Sequence, residues 1–221
     1  MVSNVSAIPA LNRDVNLVNA WGIVRHNSKL YVCANGTSFV IRYDLDGTNA
    51  MNIMLRKTDT TQTTPTGIIK NTTKGFKITN FTTNVTKKSD LIVATEDGII
   101  YGYNCDVNNT NAIIMYSSTT GAVYKGLAIV GKYLYVADFF NNRIDVFDEN
   151  MVLYNQLSSS SPDISTGNYA PFNVVNLNNY LYVVYAFQQP NKHDDLSAPG
   201  NGYIEIRDKS GNFIKRINRY E

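Results

Sequence analysis

The sequence predicts an all-β chain built of β-propeller blades, and three observations carry that expectation. Short apolar runs of strand length recur in the same order along 221 residues. Turn residues (Gly, Asn, Asp) punctuate them. No segment keeps apolar residues at i, i+3, i+4 through three turns, as a helix would require.

The repeat is legible in four segments: KLYVCANGTSFVIRYDLDG from Lys29, DLIVATEDGIIYGYN from Asp90, YLYVADFFNNRIDVFDENM from Tyr133, and YLYVVYA from Tyr180, which resumes after an insertion as GNGYIEIRDKSGN. Each reads as strand, polar loop, strand. A further apolar strand precedes each segment (AWGIVRHN, PTGIIKN, YKGLAIVG, APFNVVNLN), and another follows it (NIMLRK, AIIMYSS, VLYNQL, NFIKRIN). The unit is therefore A–B–C–D, recurring at roughly 35–55 residues, which is blade length. The blades are placed at residues 19–57, 65–118, 122–157 and 169–218, with 1–18 as an N-terminal closing segment, all in one domain.

Packing expectations follow from the period of two. Leu30, Val32, Val40 and Ile41 in the first blade, and Leu134, Val136, Ile144 and Val146 in the third, are predicted blade-to-blade contacts. For a ring closed by four blades, Ile23, Val32 and Ile41 are expected near Val183, Ile204 and Ile206, with Val2, Val5, Ile8 and Leu11 along that seam. The stretch GFKITNFTTNVTKKSD reads as a lengthened B strand folded back into a surface hairpin. Phe187 to Asn201 reads as an ordered loop over the axial face, because Pro190, Pro199 and Gly200 restrict its course.

Composition narrows the function classes. Apolar residues at 43% and charged residues at 17% describe an ordinary globular protein. Lys plus Arg (20) nearly balances Asp plus Glu (18), and the basic residues are scattered singly, which argues against nucleic acid and anionic membranes as partners. No apolar run reaches the roughly 18 residues that would suggest a span, so membrane insertion is not expected. The first ten residues lack the pattern of a secretory signal, and a soluble chain is the expectation. Sequons at Asn4, Asn35, Asn71, Asn80, Asn84 and Asn108 weigh little in so Asn-rich a sequence. Cys33 and Cys105 have no partner at metal-ligand spacing and read as buried free thiols.

Up-and-down strand order brings the B–C and D–A connections of a blade to the same end. Near those connections lie Asn19, Trp21, Asn35, Lys125, Asn142, Tyr169, Asn173 and Asp195, the predicted binding face, together with Thr37, Thr66, Asp97 and Asn141. Glu96, Asp138 and Asn173 could hold Ca²⁺ in a central channel, since carboxylate and amide oxygens suit that hard cation; Glu96 and Asp138 could equally cap strand ends. His193 and Asp194 are candidates for moving protons, or simply for ordering their loop. Ser and Cys show no nucleophile-elbow or dyad spacing, and phosphate-binding glycine loops are absent.

The blocks NLVNAWGIV, CANGTS, PTGII, ATEDGIIYGYN, GAVYKGLAI, LYVADFFNNRIDVFD, YAPFNVVNL and HDDLSAPGNGYIEIRD, running from about Asn16 to Asp208, resemble an uncharacterised bacterial β-propeller family, many of whose members are exported. The resemblance implies six blades, a distant relation to NHL-repeat and lactonase-type propellers, and an extracellular or particle-associated setting. Against it, this chain reads as a four-blade version, or as four-sixths of a six-bladed propeller. The two functional expectations are a non-enzymatic binding or structural propeller that presents its B–C/D–A loops to a protein, and a Ca²⁺-dependent lactonase-like hydrolase.

Overall fold

A computed structural model describes residues 2–57, 62–159 and 167–217. The fold is all-β, with four antiparallel four-stranded sheets, each an up-and-down propeller blade. Among the described residues no helix is long and apolar enough to cross a membrane. Asn218, read as the end of the fourth blade, lies outside the described residues. The chain divides into two compact units, residues 1–117 and 118–221.

The first unit holds two blades. Sheet 1 runs β3 (Ala20–His26), β4 (Lys29–Ala34), β5 (Phe39–Asp44), β6 (Met51–Met54); sheet 2 runs β7 (Pro65–Lys70), β10 (Leu91–Thr95), β11 (Ile99–Tyr103), β12 (Ile113–Ser117). Two small sheets are added: β1 (Val2–Ser3) with β2 (Asn12–Arg13), and β8 (Lys77–Asn80) with β9 (Val85–Lys88). The second unit holds sheet 3, β13 (Tyr124–Val130), β14 (Tyr133–Asp138), β15 (Arg143–Phe147), β16 (Leu153–Leu157), and sheet 4, β17 (Tyr169–Leu177), β18 (Tyr180–Phe187), β19 (Gly202–Arg207), β20 (Phe213–Ile217).

Local chemistry explains the hairpins. Asn27-Ser28 joins β3 to β4 and Asn178-Asn179 joins β17 to β18, and all four residues have positive φ. A two-residue hairpin of that geometry follows the twist of its strands, and Asn tolerates the left-handed region better than most residues. Asparagine abundance thus has a structural outlet here.

Within each unit the two sheets pack through one face apiece. Tyr31, Cys33, Val40 and Ile53 of sheet 1 join Ile68, Val93 and Tyr101 of sheet 2 in a buried cluster. In the second unit Tyr135, Ala137, Ile144 and Val146 meet Val174, Leu181, Val183 and Tyr185. Val40, Ile144 and Val146 make the blade-to-blade contacts expected of them; the other predicted contacts lie on the opposite faces of their sheets, and the expectation for Val183 is corrected. Leu30, Val32 and Ile41 lie on the face of sheet 1 turned away from sheet 2, because Val32 pairs with Ile41 while Cys33 pairs with Val40, so the two sets alternate. Leu134 and Val136 alternate in the same way with Tyr135 and Ala137. Val183 faces sheet 3, not outward.

The N-terminal segment also differs from its expectation. Val2 and Leu17 pack on sheet 1 beside Ile41 and Tyr43, whereas Val5, Ile8 and Leu11 are exposed. Ile23 is 62% exposed. The segment is strapped down mainly by polar bonds: Tyr43 donates to Asp14 Oδ2 at 2.7 Å, Thr37 Oγ1 donates to the Asn16 carbonyl at 2.6 Å, and the Gly36 amide donates to the Val18 carbonyl at 3.1 Å. Residues 77–88 do form a hairpin, but as the separate sheet β8–β9 and not as an extension of β10; Ile78 is buried and Phe81 exposed. Cys33 is buried, and Cys105, expected to be buried, is exposed.

Candidate functional site

One backbone device recurs in all four blades where the A strand begins. Between strands A and B the register slips by one residue: between Ala20 and Ile23, between Pro65 and Ile68, between Tyr124 and Leu127, and between Pro171 and Asn173. A bulge of this kind bends its strand and re-aims side chains. Trp21, Thr66, Lys125 and Phe172 sit on these bulges, so four equivalent positions carry four different chemistries.

Glycine follows the first three of those residues, and its reason is visible at two positions. A Cβ on Gly22 would lie 2.6 Å from the Thr66 carbonyl oxygen, and one on Gly126 would lie 1.9 Å from Asn173 Oδ1. The A strands of each unit approach too closely for a side chain at that point. The sequence signal was present as the triplets Trp-Gly-Ile, Thr-Gly-Ile and Lys-Gly-Leu, with Asn173 taking the glycine's place in the fourth blade.

In the first unit the predicted polar residues form a relay. Asn19 Nδ2 donates to Asn35 Oδ1 at 3.1 Å, and Asn35 Nδ2 donates to Glu96 Oε2 at 3.0 Å. Asn35 and Glu96 are buried. Asp97 Oδ2 accepts from the Thr64 amide at 2.8 Å and its hydroxyl at 3.0 Å, while Oδ1 pairs with Lys57 at 3.1 Å. Trp21 packs against the core cluster of this unit. Thr66 donates to the Ala94 carbonyl.

In the second unit Asp138 is fully buried. Its Oδ1 accepts from the amides of Val123 and Asn141 at 3.3 and 3.2 Å; its Oδ2 accepts from Asn141 Nδ2 at 2.7 Å and lies 3.4 Å from Arg143 Nε. Burial pushes its carboxyl above the usual aspartate range, against the pull of the Asn141 hydrogen bonds. Both oxygens are thus engaged in tying the β14–β15 loop, and a cation here would have to displace Asn141. Asn173 turns Oδ1 onto the Val174 amide and against Gly126. Glu96 belongs to the first unit, Asp138 and Asn173 to the second.

Lys125 is buried with its ammonium 5.8 and 5.6 Å from the ring centres of Phe139 and Phe172, within cation–π range. Asn142 stands at positive φ with a buried Oδ1 that accepts no hydrogen bond. Tyr169 stacks edge-on with Phe187 and Tyr203, and its hydroxyl donates to the Gly200 carbonyl at 3.3 Å.

That last contact helps define the 187–201 insertion. Gln188 is buried and donates to the Phe139 carbonyl at 2.6 Å, and the bridge Gln188–Asp195 closes the loop on itself. The Asp195 carbonyl accepts from Gln189 Nε2 at 3.0 Å, and the Leu196 amide donates to the Phe187 carbonyl. His193 Nδ1 lies 3.4 Å from Asp194 Oδ1, with both side chains about half exposed. The sequence reading found the insertion but not its anchors, Gln188 and Tyr169.

A second feature escaped the sequence reading. Glu205 and Arg207, alternate residues of β19 and therefore on one face, form a buried ion pair at 2.8 Å; Tyr185 donates to the same Glu205 oxygen, and Arg207 also donates to the carbonyls of Ser158 and Gly211. Arg143 and Asp145 repeat the arrangement in β15, at 2.9 Å. Opposite charges two apart inside an apolar strand were the available signal.

No protein-family model matches the chain. It is 34% identical over 225 residues to the uncharacterized protein L690 of Acanthamoeba polyphaga mimivirus, covering 98% of this chain and 59% of that protein. With the uncharacterized protein R648 of the same virus it shares 35% identity over 219 residues, covering 94% and 54%. The chain thus spans little more than half the length of these relatives. Among solved structures it resembles hydrazine synthase of Kuenenia stuttgartiensis (TM-score 0.59, 15% identity, 91% of this chain and 49% of that one) and U3-55K (TM-score 0.56, 10% identity, 89% and 51%). At such identities the likeness speaks for the fold alone. The chain is a β-propeller protein similar in sequence to uncharacterized viral proteins.

Proposed function

We propose that this protein is a non-enzymatic binding propeller whose B–C and D–A loops engage a protein partner, with the 187–201 insertion as the main contact. One observation carries the reading: the insertion is fixed by Gln188, Tyr169 and its own backbone bonds, yet it presents His193, Asp194 and Leu196 to solvent. A preformed projection loses little conformational entropy on binding. The polar residues of the other loops support the same view, because Asp97, Asp138 and Asn35 spend their hydrogen bonds on loop amides and neighbouring side chains. Such loops suit a rigid platform better than acid–base chemistry. A particle-associated setting is in keeping with relatives encoded by a virus.

The test replaces residues 189–200 with a short Gly-Ser turn. The variant is expected to melt within a few degrees of the parent and to lose a partner that the parent captures side by side. Equal capture by both chains overturns the proposal. So does hydrolysis of a lactone by the parent chain together with a melting temperature that rises with calcium and falls with chelator.

A further inference from the structure

We infer that the β8–β9 hairpin is a docking surface for an anionic lipid membrane, with Phe81 at its tip entering the headgroup layer and the lysines around its base held over acidic headgroups. The hairpin lies between strands A and B of its blade, so up-and-down order puts it at the end opposite the B–C and D–A connections. It is separate from the face of the proposed protein partner.

The charge is local. Residues 70–88, KNTTKGFKITNFTTNVTKK, contain five lysines and no aspartate or glutamate. The near balance of charge over the whole chain, which argues against anionic membranes, therefore does not hold here. All five lysines are exposed. Lys77 stands directly opposite Lys88, with side chains starting about 5 Å apart, an arrangement that costs stability for like charges. The neighbouring acids are engaged elsewhere: Asp106 holds Lys87 at 2.6 Å, and Asp90 lies 3.8 Å from His26. Among the described residues Lys70, Lys74, Lys77 and Lys88 form no ion pair. Burial, opposed by Asp90, lowers the His26 pKa, and Lys70 and Lys88 both lower it further, so their charges overlap at the base of the hairpin.

The hairpin is fixed at its base and presents a rigid tip. Ile78 is buried and packs so closely on sheet 2 that a Cβ on Gly102 would lie 2.6 Å from its Cγ2, and Asn80 Nδ2 donates to the Val107 carbonyl at 3.0 Å. Beyond that anchor residues 81–84 are all exposed, Phe81 at 86%. The turn is preformed, since Asn80 Oδ1 accepts from the amides of Thr82 and Thr83 at 3.0 and 3.3 Å and Asn84 holds positive φ. A phenyl ring is thus carried on an ordered turn among threonine and asparagine side chains, which stay hydrated in a headgroup layer while the ring reaches the acyl boundary.

Two features favour a lipid surface over other polyanions. The stretch has no arginine, whose planar fork is the usual reader of nucleic-acid phosphates, whereas lysines suffice as diffuse charges above acidic headgroups. Phe81 also lies four residues beyond Lys77, roughly 13 Å along the strand. The partner must therefore meet charge at one end of the ribbon and offer an apolar medium at the other. A leaflet offers both, and charge together with an apolar anchor is the pair of signals that peripheral binding needs.

Co-sedimentation tests the inference. The full chain is mixed with phosphatidylcholine vesicles that contain or lack phosphatidylserine, at low and at physiological salt. The expected result is sedimentation with the phosphatidylserine vesicles alone, weakened by added salt. Lys77→Gln with Lys88→Gln should weaken it at least about tenfold, since each lysine near such a surface contributes about a factor of five. Phe81→Ser should weaken it several-fold and leave the salt dependence unchanged. Both variants should melt with the parent, because the replaced side chains are exposed. No sedimentation, equal sedimentation with and without phosphatidylserine, or equal sedimentation of the parent and the double lysine variant overturns the inference. So does tighter binding of polyuridylate or polyglutamate than of the vesicles, which would seat a nucleic acid or an acidic protein segment on the hairpin.

Discussion

Sheets 1 and 4 each turn one face away from the other sheet of their unit, and the two faces end differently. On sheet 1 the middle strands are covered: Ile41 and Tyr43 are buried beneath Val2 and Leu17, and the covering segment is bonded at Asp14, Asn16 and Val18. On sheet 4 the corresponding face is more open, with Val175, Leu177, Tyr180 and Ile217 38–51% exposed, although Ile206 among them is buried. The difference teaches that a blade face is defined by its strands, while its cover is a separate element, which on sheet 1 is the N-terminal segment. Substitutions that read the cover therefore separate the two faces.

The largest effect is expected at Ile41. Its side chain is fully buried beneath the N-terminal segment, so Ile41→Asp loses apolar burial worth about 1.5–3 kcal/mol and also forces a carboxylate out of water. A cost of about 4 kcal/mol or more is a large share of the stability of an ordinary domain. Chemical denaturation should show the variant largely unfolded or cooperatively weakened. A change below about 1 kcal/mol would mean that the segment lifts away readily and that sheet 1 is as open as sheet 4.

Next comes the inner face of sheet 4, which carries the buried Glu205–Arg207 pair. Arg207→Ala leaves Glu205 buried without its cation, beside Tyr185 and Ser159, and breaking a buried pair from one side costs about 3–5 kcal/mol. Arg207→Met, with Glu205→Leu in the same chain, should recover much of that loss, since apolar replacement of a whole buried pair is often tolerated. Failure to recover would show that the contacts to the carbonyls of Ser158 and Gly211 matter more than the pair.

A smaller effect reads the strap itself. Tyr43→Phe removes the 2.7 Å bond to Asp14 while keeping the ring, and about 1 kcal/mol of stability should go with it, more if Asp14 is left without water access. Burial together with the Asp14 hydrogen bond already pushes the Tyr43 hydroxyl far above the usual tyrosine range, so it stays protonated throughout the stability range. Hydrogen exchange at residues 12–18 should quicken in the variant, and unchanged exchange would assign the strap to its backbone bonds.

Near neutrality the pH dependence expected of sheet 1 is that of His26 in β3. Burial lowers its pKa below the ordinary 6.5, opposed by Asp90 at 3.8 Å and aided by Lys70 and Lys88, and neither ring nitrogen has a hydrogen-bond partner. The folded chain thus binds this proton less readily than the unfolded chain. Stability is complete above pH 6.5 and falls as the pH drops through the unfolded value toward the lowered folded one. Going from about pH 7.5 to about pH 5.5, the parent should lose more melting temperature than His26→Phe. Equal losses would assign the acid limb to other groups.

How much of this was legible is clearest at particular strands. Apolar alternation located the blades, because strand residues facing a neighbour must be apolar whatever the neighbour is. It could not tell which parity faced which neighbour: Val40 and Ile41 are adjacent, equally buried, and point to opposite sides of sheet 1. The loop candidates were legible as positions and only in part as roles: strand-end capping was one of two readings of Asp138, whereas nothing in the sequence shows that Asn173 lies against Gly126. Residues 2–11 misled for a related reason. Their apolar side chains suggested a seam, yet most of the attachment comes from Asp14 to Val18, through polar and backbone bonds that leave no apolar signature.

The smallest effect is the sharpest contrast with Ile41. Val175 and Leu177 lie on the open side of sheet 4, the first opposite Tyr182 and the second opposite Tyr180. Val175→Thr keeps the β-branched shape and the strand preference while adding a hydroxyl that solvent can reach, so folding should change by no more than about 0.5 kcal/mol, the usual range for surface sites. Leu177→Lys, beside the hairpin turn, should be as mild, because its stem can lie along Tyr180 with the ammonium in water. Neither change should alter far-ultraviolet circular dichroism, and both should raise solubility by interrupting an apolar surface. A loss of about 1–3 kcal/mol, the cost of burying a polar group without a partner, would mean that the face is covered in the folded state, and the contrast between sheets 1 and 4 would collapse to a difference in which segment does the covering.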